Sequence, residues 1–219
     1  MRAQVLQASR HALSVARVTP TAVLVNYSAL PAATPNAHGH TVAIWQNTQV
    51  PWQSPPLHAE PVPRDGQIGS LSLSNLLVQQ KPYILAYLTG PVGERATTVA
   101  ATARINGSEP GETCDIRIRI TYIDNHSLAI AYQTPPGYLP RTYGNWIGLW
   151  PGHASPYTAQ QADAQVVRVG TDWNVGEAMM SGLELRPGMP YTLVYFTGDD
   201  MRNAASLLTF VPRGGEETD

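Results

Sequence analysis

The feature that most constrains this chain is a repeat within it. The segment NYSALPAATPNAHGHTVAIWQ aligns without a gap with the later segment AYQTPPGYLPRTYGNWIGLWP. In this alignment Gly39 matches Gly144 and Trp45 matches Trp150, both at a spacing of 105 residues. A chain that repeats itself in this way is expected to fold as two similar units.

A second pair of blocks continues the repeat. KPYILAYLTG aligns with MPYTLVYFTG, so that Tyr83 matches Tyr191 and Tyr87 matches Tyr195 at a spacing of 108 residues. The matches keep the same order in both copies, and the longer spacing places a short insertion in the second copy. The sequence therefore predicts an internal duplication.

Each copy has the residue pattern of short β-strands. In CDIRIRITYI, Asp115, Arg117 and Arg119 alternate with residues that are mostly apolar. A period of two is typical of a half-buried strand, and no segment has a 3.6-residue apolar period over the length of a helix. About seven short strands in about 100 residues indicate an immunoglobulin-like sandwich.

These patterns predict an all-β chain of two tandem immunoglobulin-like β-sandwiches related by internal duplication. We place the first sandwich at residues 1–106 and the second at residues 113–219. The segment NGSEPGE is rich in glycine and polar residues, so residues 107–112 are predicted to be a linker. Residues 1–8 have no counterpart at the start of the second copy, and we expect them to add an edge strand or to cover one.

Composition excludes several classes of protein. Hydrophobic residues make up 43% of the chain and charged residues 14%, as expected of a folded protein rather than a disordered one. The net charge of −2 and the lack of a block of like charge argue against a nucleic-acid partner. No run approaches the roughly 18 apolar residues of a membrane span, and the N-terminus lacks an apolar run of signal-peptide length. Because Cys114 is the single cysteine, we expect a cytoplasmic protein.

Three strand motifs follow one another in the second copy. They are a tryptophan–aliphatic–glycine strand in GNWIGLW, then a Y-x-x-x-Y strand and a final A-S…F strand in LRPGMPYTLVYFTGDDMRNAASLLTFVP. This order, over most of residues 114–213, resembles the SKICH domain, an immunoglobulin-like sandwich of eukaryotic inositol phosphatases and autophagy adaptors. In that family the domain is an interaction and localisation module without catalysis of its own, and the resemblance implies such a role by analogy of fold.

Large aromatic residues that occur in one copy alone are candidates for a binding site. Trp146 takes the position of Thr41, and Gly148 beside it leaves room for a partner. Trp150 matches Trp45, so the fold that both copies form explains its position. The alternative is that both tryptophans of the second copy pack under a loop or against the other sandwich, since large aromatic side chains are mostly buried.

The loop TPPGYLPRTYGN, residues 134–145, forms the second part of the candidate site. Aromatic residues together with an arginine are the composition of binding hot spots, and the equivalent loop of the first copy has none of these residue types. We predict that a protein partner or a small apolar ligand binds an aromatic surface of the second sandwich. The residues assigned to this site are Trp146, Tyr138, Arg141, Tyr143, Trp150 and Trp173.

The opposite face of the tryptophan strand is predicted to be core. Ile147 and Leu149 alternate with the tryptophans, and Val42 and Ile44 hold the equivalent positions of the first copy. Successive side chains of a strand point to opposite faces. We therefore expect all four of these residues to be buried.

The sequence contains only weak indications of a metal site or of catalytic residues. His38 and His40 lie two residues apart at the start of a strand and could bind a metal with His58 as a third ligand, but no further ligand stands at a fixed spacing. We predict no metal and no cofactor. No nucleophile elbow, phosphate-binding loop, zinc-protease or dinucleotide motif occurs, and Asp172 and its neighbours have the pattern of turns.

Three functions remain at this point. We predict a non-catalytic binding or assembly protein that uses an aromatic surface of the second sandwich. The alternative is a small enzyme of specialised metabolism with an apolar aromatic pocket between the two sandwiches, where pockets are frequent. The third is a structural subunit that self-assembles, so the sequence leaves both enzymatic activity and a homo-oligomer open.

Overall fold

A computed structural model describes residues 1–92 and 96–214 of the chain. These residues form sixteen β-strands, two short 3₁₀ turns and no α-helix. The strands of residues 1–106 are β1 (Arg2–Arg10), β2 (Ala12–Thr19), β3 (Ala22–Ser28), β4 (Thr41–Trp45), β5 (His58–Pro61), β6 (Ile68–Leu73), β7 (Pro82–Leu88) and β8 (Val99–Asn106). They are followed by β9 (Glu109–Asp115), β10 (Arg117–Ile123), β11 (Ser127–Gln133), β12 (Trp146–Pro151), β13 (Gln165–Arg168), β14 (Val175–Ser181), β15 (Tyr191–Phe196) and β16 (Ala204–Arg213).

The strands pair into four antiparallel sheets that make two sandwiches. In the first sandwich, the sheet β2-β3-β6 faces the sheet β5-β4-β7-β8-β9. In the second, the sheet β10-β11-β14 faces the sheet β1-β16-β15-β12-β13. The chain is thus all-β, with two tandem immunoglobulin-like sandwiches, and the predicted fold class is confirmed. None of the helical segments among the described residues has the length and apolar character needed to cross a membrane.

Alternation along the strands builds the core of each sandwich. In β3, Val23, Val25 and Tyr27 are buried while Leu24 and Asn26 are exposed, which is the period-two pattern of a strand with one covered face. The four residues predicted to be core are also buried, which confirms the assignment of strand faces: Val42, Ile44, Ile147 and Leu149.

Both sandwiches contain the same tyrosine corner. The hydroxyl of Tyr83 accepts a hydrogen bond from Gln79 N at 3.0 Å, and the hydroxyl of Tyr191 accepts one from Arg186 N at 3.0 Å. Each phenol therefore satisfies its polar end on the local backbone while its ring fills the core. The recurrence of these tyrosines in the sequence is explained by the fold.

The boundary between the sandwiches differs from the prediction. β1 does not join the sheet of its neighbour β2 but pairs with β16 of the second sandwich, from Arg2↔Arg213 to Arg10↔Ser206. β9 in turn pairs with β8 of the first sandwich. Residues 107–112 are therefore not a linker, since they form the turn and the first part of the strand that follows it. Residues 1–8 do add an edge strand, and residues 215–219 lie outside the described residues.

The two exchanged strands have the same register and the same connection. One residue, His11, separates β1 from β2, and one residue, Ile116, separates β9 from β10. His11 N donates to Ala205 O at 3.2 Å, and Ile116 N donates to Ala100 O at 3.0 Å. His11 corresponds to Ile116 and Ala100 to Ala205, both at a spacing of 105 residues. The exchange of edge strands is therefore reciprocal.

Candidate functional site

Trp146 is fully buried, contrary to the expectation that it belongs to a binding surface. Its ring stacks on Phe196, with centroids 4.0 Å apart and planes at 10°, and its Nε1 donates to Gly198 O at 2.8 Å. Gly148 leaves room for these rings rather than for a partner, because a Cβ there would lie 2.4 Å from Trp150. The aromatic face of β12 is an internal packing face.

The first sandwich supplies the cover for this face. Ala29, Leu30 and Ala33, from the segment between β3 and β4, share one buried cluster with Trp146 and Trp150. Trp150 also donates from Nε1 to Gln160 O at 3.0 Å, as Trp45 does to Ser54 O at 3.1 Å in the first sandwich. Two tryptophans stand on one face of the strand because that face packs against the other sandwich.

Tyr138 is likewise buried, and it reaches the first sandwich rather than solvent. Its hydroxyl donates to Thr97 O at 2.5 Å, and its ring meets the ring of Trp52 edge-on at 5.1 Å. Burial raises the pKa of this phenol. Tyr143 is half-buried behind it, at 5.2 Å between ring centroids. The loop of residues 134–145 therefore contacts the first sandwich through Tyr138, with Tyr143 packed behind it.

Trp173 and Arg141 are the predicted site residues that stand in solvent. Trp173 is 73% exposed, whereas Trp45, Trp146 and Trp150 are at most 3% exposed. Arg141 is also exposed, on the neighbouring loop. Of the predicted aromatic surface, the indole of Trp173 is the part that a partner can reach.

Side-chain hydrogen bonds anchor the residues on both sides of Trp173. On one side, Asp172 accepts from Thr142 N at 2.8 Å and from Thr142 Oγ1 at 2.9 Å. On the other side, Asn174 Nδ2 donates to Pro135 O at 2.6 Å, while its Oδ1 accepts from Gly137 N at 3.1 Å. The loop of residues 170–174 is therefore tied to the loop that carries Arg141.

The first sandwich has the same loop without the tryptophan. Asp65 accepts from Asn36 N at 2.9 Å and from Ala37 N at 3.2 Å, which is the role of Asp172 in the second sandwich. The position after this aspartate is Gly66 in the first copy and Trp173 in the second, at a spacing of 107 residues. The loop thus forms without the indole.

Two exposed apolar residues follow Trp173 along the outer face of β14. Val175 is 69% exposed and Met179 is 56% exposed, and both lie on the outer face because the exposure of β14 alternates. Glu177 lies between them and accepts from Thr121 Oγ1 at 2.7 Å. β14 is at the edge of its sheet.

Three histidines meet at the junction of the sandwiches, but not the three that the sequence indicated. His58 bonds to Glu60 at 2.8 Å instead, and the imidazole near His40 is that of His11, at 5.5 Å between ring centroids. His38 lies 6.1 Å from His40. No group of three His, Cys, Asp or Glu residues in the described ranges could hold a metal ion.

Burial keeps the inner two histidines neutral. It lowers the pKa of His11 to about 4 and that of His40 to about 3, where the neighbouring histidines add to the effect. His11 Nε2 donates to Ala204 O at 3.0 Å, and His40 Nδ1 bonds to the hydroxyl of Tyr87 at 2.8 Å. Nothing in the sequence indicated His11, because this residue lies beside His40 only when β1 joins the sheet of the second sandwich.

A crevice between the sandwiches is too small for a substrate. It has a volume of about 50 Å³ and lies between Gln49, Cys114 and Pro135, whereas ligand pockets usually have about 300–1,000 Å³. Burial raises the pKa of the Cys114 thiol. A more open groove of about 350 Å³ lies between β1 and the first sandwich, beside Arg10, Ser28 and Ile68.

Comparisons with known proteins find only weak structural similarity. Neither a protein-family model nor a curated protein matches the chain. The FN1–FN3 domains of chicken CNTN1 are 11% identical with a TM-score of 0.31, over 92% of this chain and 63% of that one, so the chain spans less than two thirds of it. A DUF3823 family protein from Bacteroides uniformis is 7% identical with a TM-score of 0.32, over 83% of this chain and 92% of that one.

Proposed function

We propose that this chain is a non-catalytic binding protein whose partner docks on Trp173 of the second sandwich. The observation that carries the proposal is a 73% exposed indole whose two neighbours in the chain, Asp172 and Asn174, are anchored by side-chain hydrogen bonds. Immunoglobulin-like sandwiches host many unrelated functions, so the site and not the fold supports the proposal. A SKICH-like role as an interaction module and a cytoplasmic location belong to the same proposal, on the motifs and the single cysteine of the sequence.

The exposed indole is unfavourable for an isolated chain. Burying the exposed part of a tryptophan against a partner gains roughly 3–5 kcal/mol before the costs of association. Since Gly66 stands in the same loop of the first sandwich, the fold does not require a large residue there. Binding supplies a reason for Trp173 that packing does not.

An extended peptide segment is the partner that suits this surface best. β14 lies at a sheet edge, where a peptide can add as a further strand. Apolar side chains of such a strand would lie beside Val175 and Met179, with Trp173 at one end and Arg141 on the adjacent loop. Aromatic and arginine side chains are frequent anchors of such interfaces.

The proposal is tested with Trp173→Gly, which restores the residue of the first copy. Peptides are selected from a displayed random library on the immobilised wild-type chain and then titrated against each variant. We expect Trp173→Gly to weaken the selected peptides at least tenfold. The matched control is Leu77→Gly, since Leu77 is 75% exposed in a loop of the first sandwich, and it should bind like the wild type. Equal binding to both variants would place the site elsewhere.

A further inference from the structure

The chain consists of two halves that complete each other. We call residues 1–106 the first half and residues 107–214 the second half. The first half gives β1 to the sheet of the second, and the second half gives β9 to the sheet of the first. Since each sandwich takes an edge strand from the other half, neither half contains all the strands of its own sandwich.

Equivalent residues of the two halves contact each other at their junction. Thr89 and Thr197 correspond in the repeat, and their Oγ1 atoms lie 3.3 Å apart in a buried position. Contact between corresponding residues is the mark of a two-fold interface. Each half therefore carries both a strand to give and an edge to receive.

The halves are nevertheless not interchangeable. Tyr138 of the second half fits over Trp52 and reaches Thr97 O, whereas its counterpart in the first half is Ala33, which packs with Trp146 and Trp150. Two second halves together would bring two tyrosines to the junction, and two first halves would bring none. This asymmetry favours the pairing of a first half with a second half.

A two-residue turn is the covalent connection between the halves. Asn106 pairs with Glu109 across Gly107 and Ser108, and Gly107 has a φ of +68°. This left-handed backbone conformation favours glycine, whereas a Cβ there would meet only the movable end of the Gln80 side chain. If the turn opens, β8 can pair with the β9 of another molecule and every strand pairing described above is kept.

We infer that the two halves of this chain are exchangeable between copies, so that two chains can form a dimer when the Gly107–Ser108 turn opens. The first half of each chain packs on the second half of the other. Within one chain the halves are held at a high effective concentration, which favours the monomer. Shortening the turn removes this advantage, because antiparallel strands need at least a two-residue loop to reverse.

Deletion of Gly107 and Ser108 tests the inference. We expect the variant to become a dimer with twice the 23.7 kDa mass of the chain by light scattering, with the far-ultraviolet circular dichroism of the wild type. The control deletes Asn125 and His126 from the turn between β10 and β11, which joins strands within one half and should give no such dimer. A folded monomer from the first deletion would overturn the inference.

Cleavage provides a second measurement that does not depend on the folding of the deletion variant. A protease site is inserted between Gly107 and Ser108 of the full chain, and the purified protein is cut. We expect both fragments to remain in one gel-filtration peak and, after mixing with an excess of tagged and cut protein, to take up tagged partners. Fragments that separate on cutting, or that never exchange partners, would contradict the inference.

Discussion

Arg10 donates a hydrogen bond from Nε to the carboxylate of Asp115, and the two residues hold corresponding positions 105 residues apart in the repeat. Each is the last residue of an exchanged strand, β1 or β9. Asp115 is buried, and it also accepts from Arg117 Nε at 2.9 Å. Opposite charges thus meet where the two exchanged strands end.

Loss of this carboxylate should weaken the junction. Asp115→Ala leaves two arginines without their partner, and we expect it to lower the free energy of unfolding by about 1–3 kcal/mol. Urea denaturation measures the change. The control is Glu112→Ala, which removes an exposed carboxylate 3.5 Å from Arg104 and should change stability by less than about 0.5 kcal/mol. Equal effects would show that the ion pair contributes nothing specific.

Trp146→Thr introduces the residue that the first copy has at this position, Thr41, and should destabilise the protein. The substitution removes a fully buried indole stacked on Phe196 and leaves Gly198 O without its donor. We expect a loss of about 3–5 kcal/mol in the free energy of unfolding, as for other buried aromatic residues. Trp173→Gly is the control and should stay within about 0.5 kcal/mol of the wild type. The reverse order would mean that the buried and exposed tryptophans are assigned wrongly.

Leu149→Ala tests the core face of β12. Leu149 is 4% exposed in the main hydrophobic cluster, and emptying such a site usually lowers stability by about 2–5 kcal/mol. Thermal unfolding of the variant should show a clear fall in the melting temperature. Leu77→Ala, at a site that is 75% exposed, should leave the melting temperature unchanged. If the melting temperature of Leu149→Ala stayed within about a degree of that of the wild type, the assignment of the buried face of β12 would be wrong.

His11 should make the junction sensitive to acid. Its pKa is about 4 in the folded chain against an ordinary value of 6.5, so the unfolded state binds a proton in this window that the native state does not. The resulting stability is present above pH 6.5 and is lost as the pH falls to about 4, where the loss reaches about 3 kcal/mol. His40 and Tyr87 are the titratable groups whose rings lie against it, and His38 lies next to His40.

The variant His11→Ile isolates this contribution, because Ile116 holds the corresponding position of the second half and is fully buried. Urea denaturation at a series of pH values should show a smaller loss of stability between pH 6.5 and 4 in the variant than in the wild type. Carboxylates that titrate in the same range affect both proteins alike. Parallel curves for the two proteins would exclude His11 as the source.

The fold could be predicted from the sequence where the signal was local. Alternation in CDIRIRITYI correctly indicated strands, but this segment is not one strand, because it is divided at Ile116 between β9 of the first sandwich and β10 of the second. Asp115 is buried and Tyr122 is exposed, opposite to the faces that the alternation predicted. The partner of β1 could not be predicted, because a strand's pattern states which face is buried but not which sheet it joins. The turn at Gly107 has the composition of a linker, and what makes it a hairpin is the pairing of β8 with β9.

The candidate site was harder for the same reason. Both faces of β12 are apolar, and the sequence does not distinguish a face that binds a partner from one that packs on the other sandwich. Asymmetry between the copies pointed to Trp146 and Tyr138, which proved to be internal contacts, while Trp173, also assigned to the site, is exposed. The contact between His11 and His40 was also not predictable, because the two residues lie 29 positions apart in the sequence.

The pairing of Arg2 with Arg213 has a mechanical consequence. β1 and β16 are antiparallel, and the described ends of the chain lie side by side at one end of this pair. Tension applied between these ends would act across the strands and peel β1 from β16 one hydrogen-bonded pair at a time. Tension between Arg10 and Arg213 would instead load all those bonds in shear. The same pair of strands should therefore separate at a much lower force when it is pulled from Arg2 and Arg213 than when it is pulled from Arg10 and Arg213.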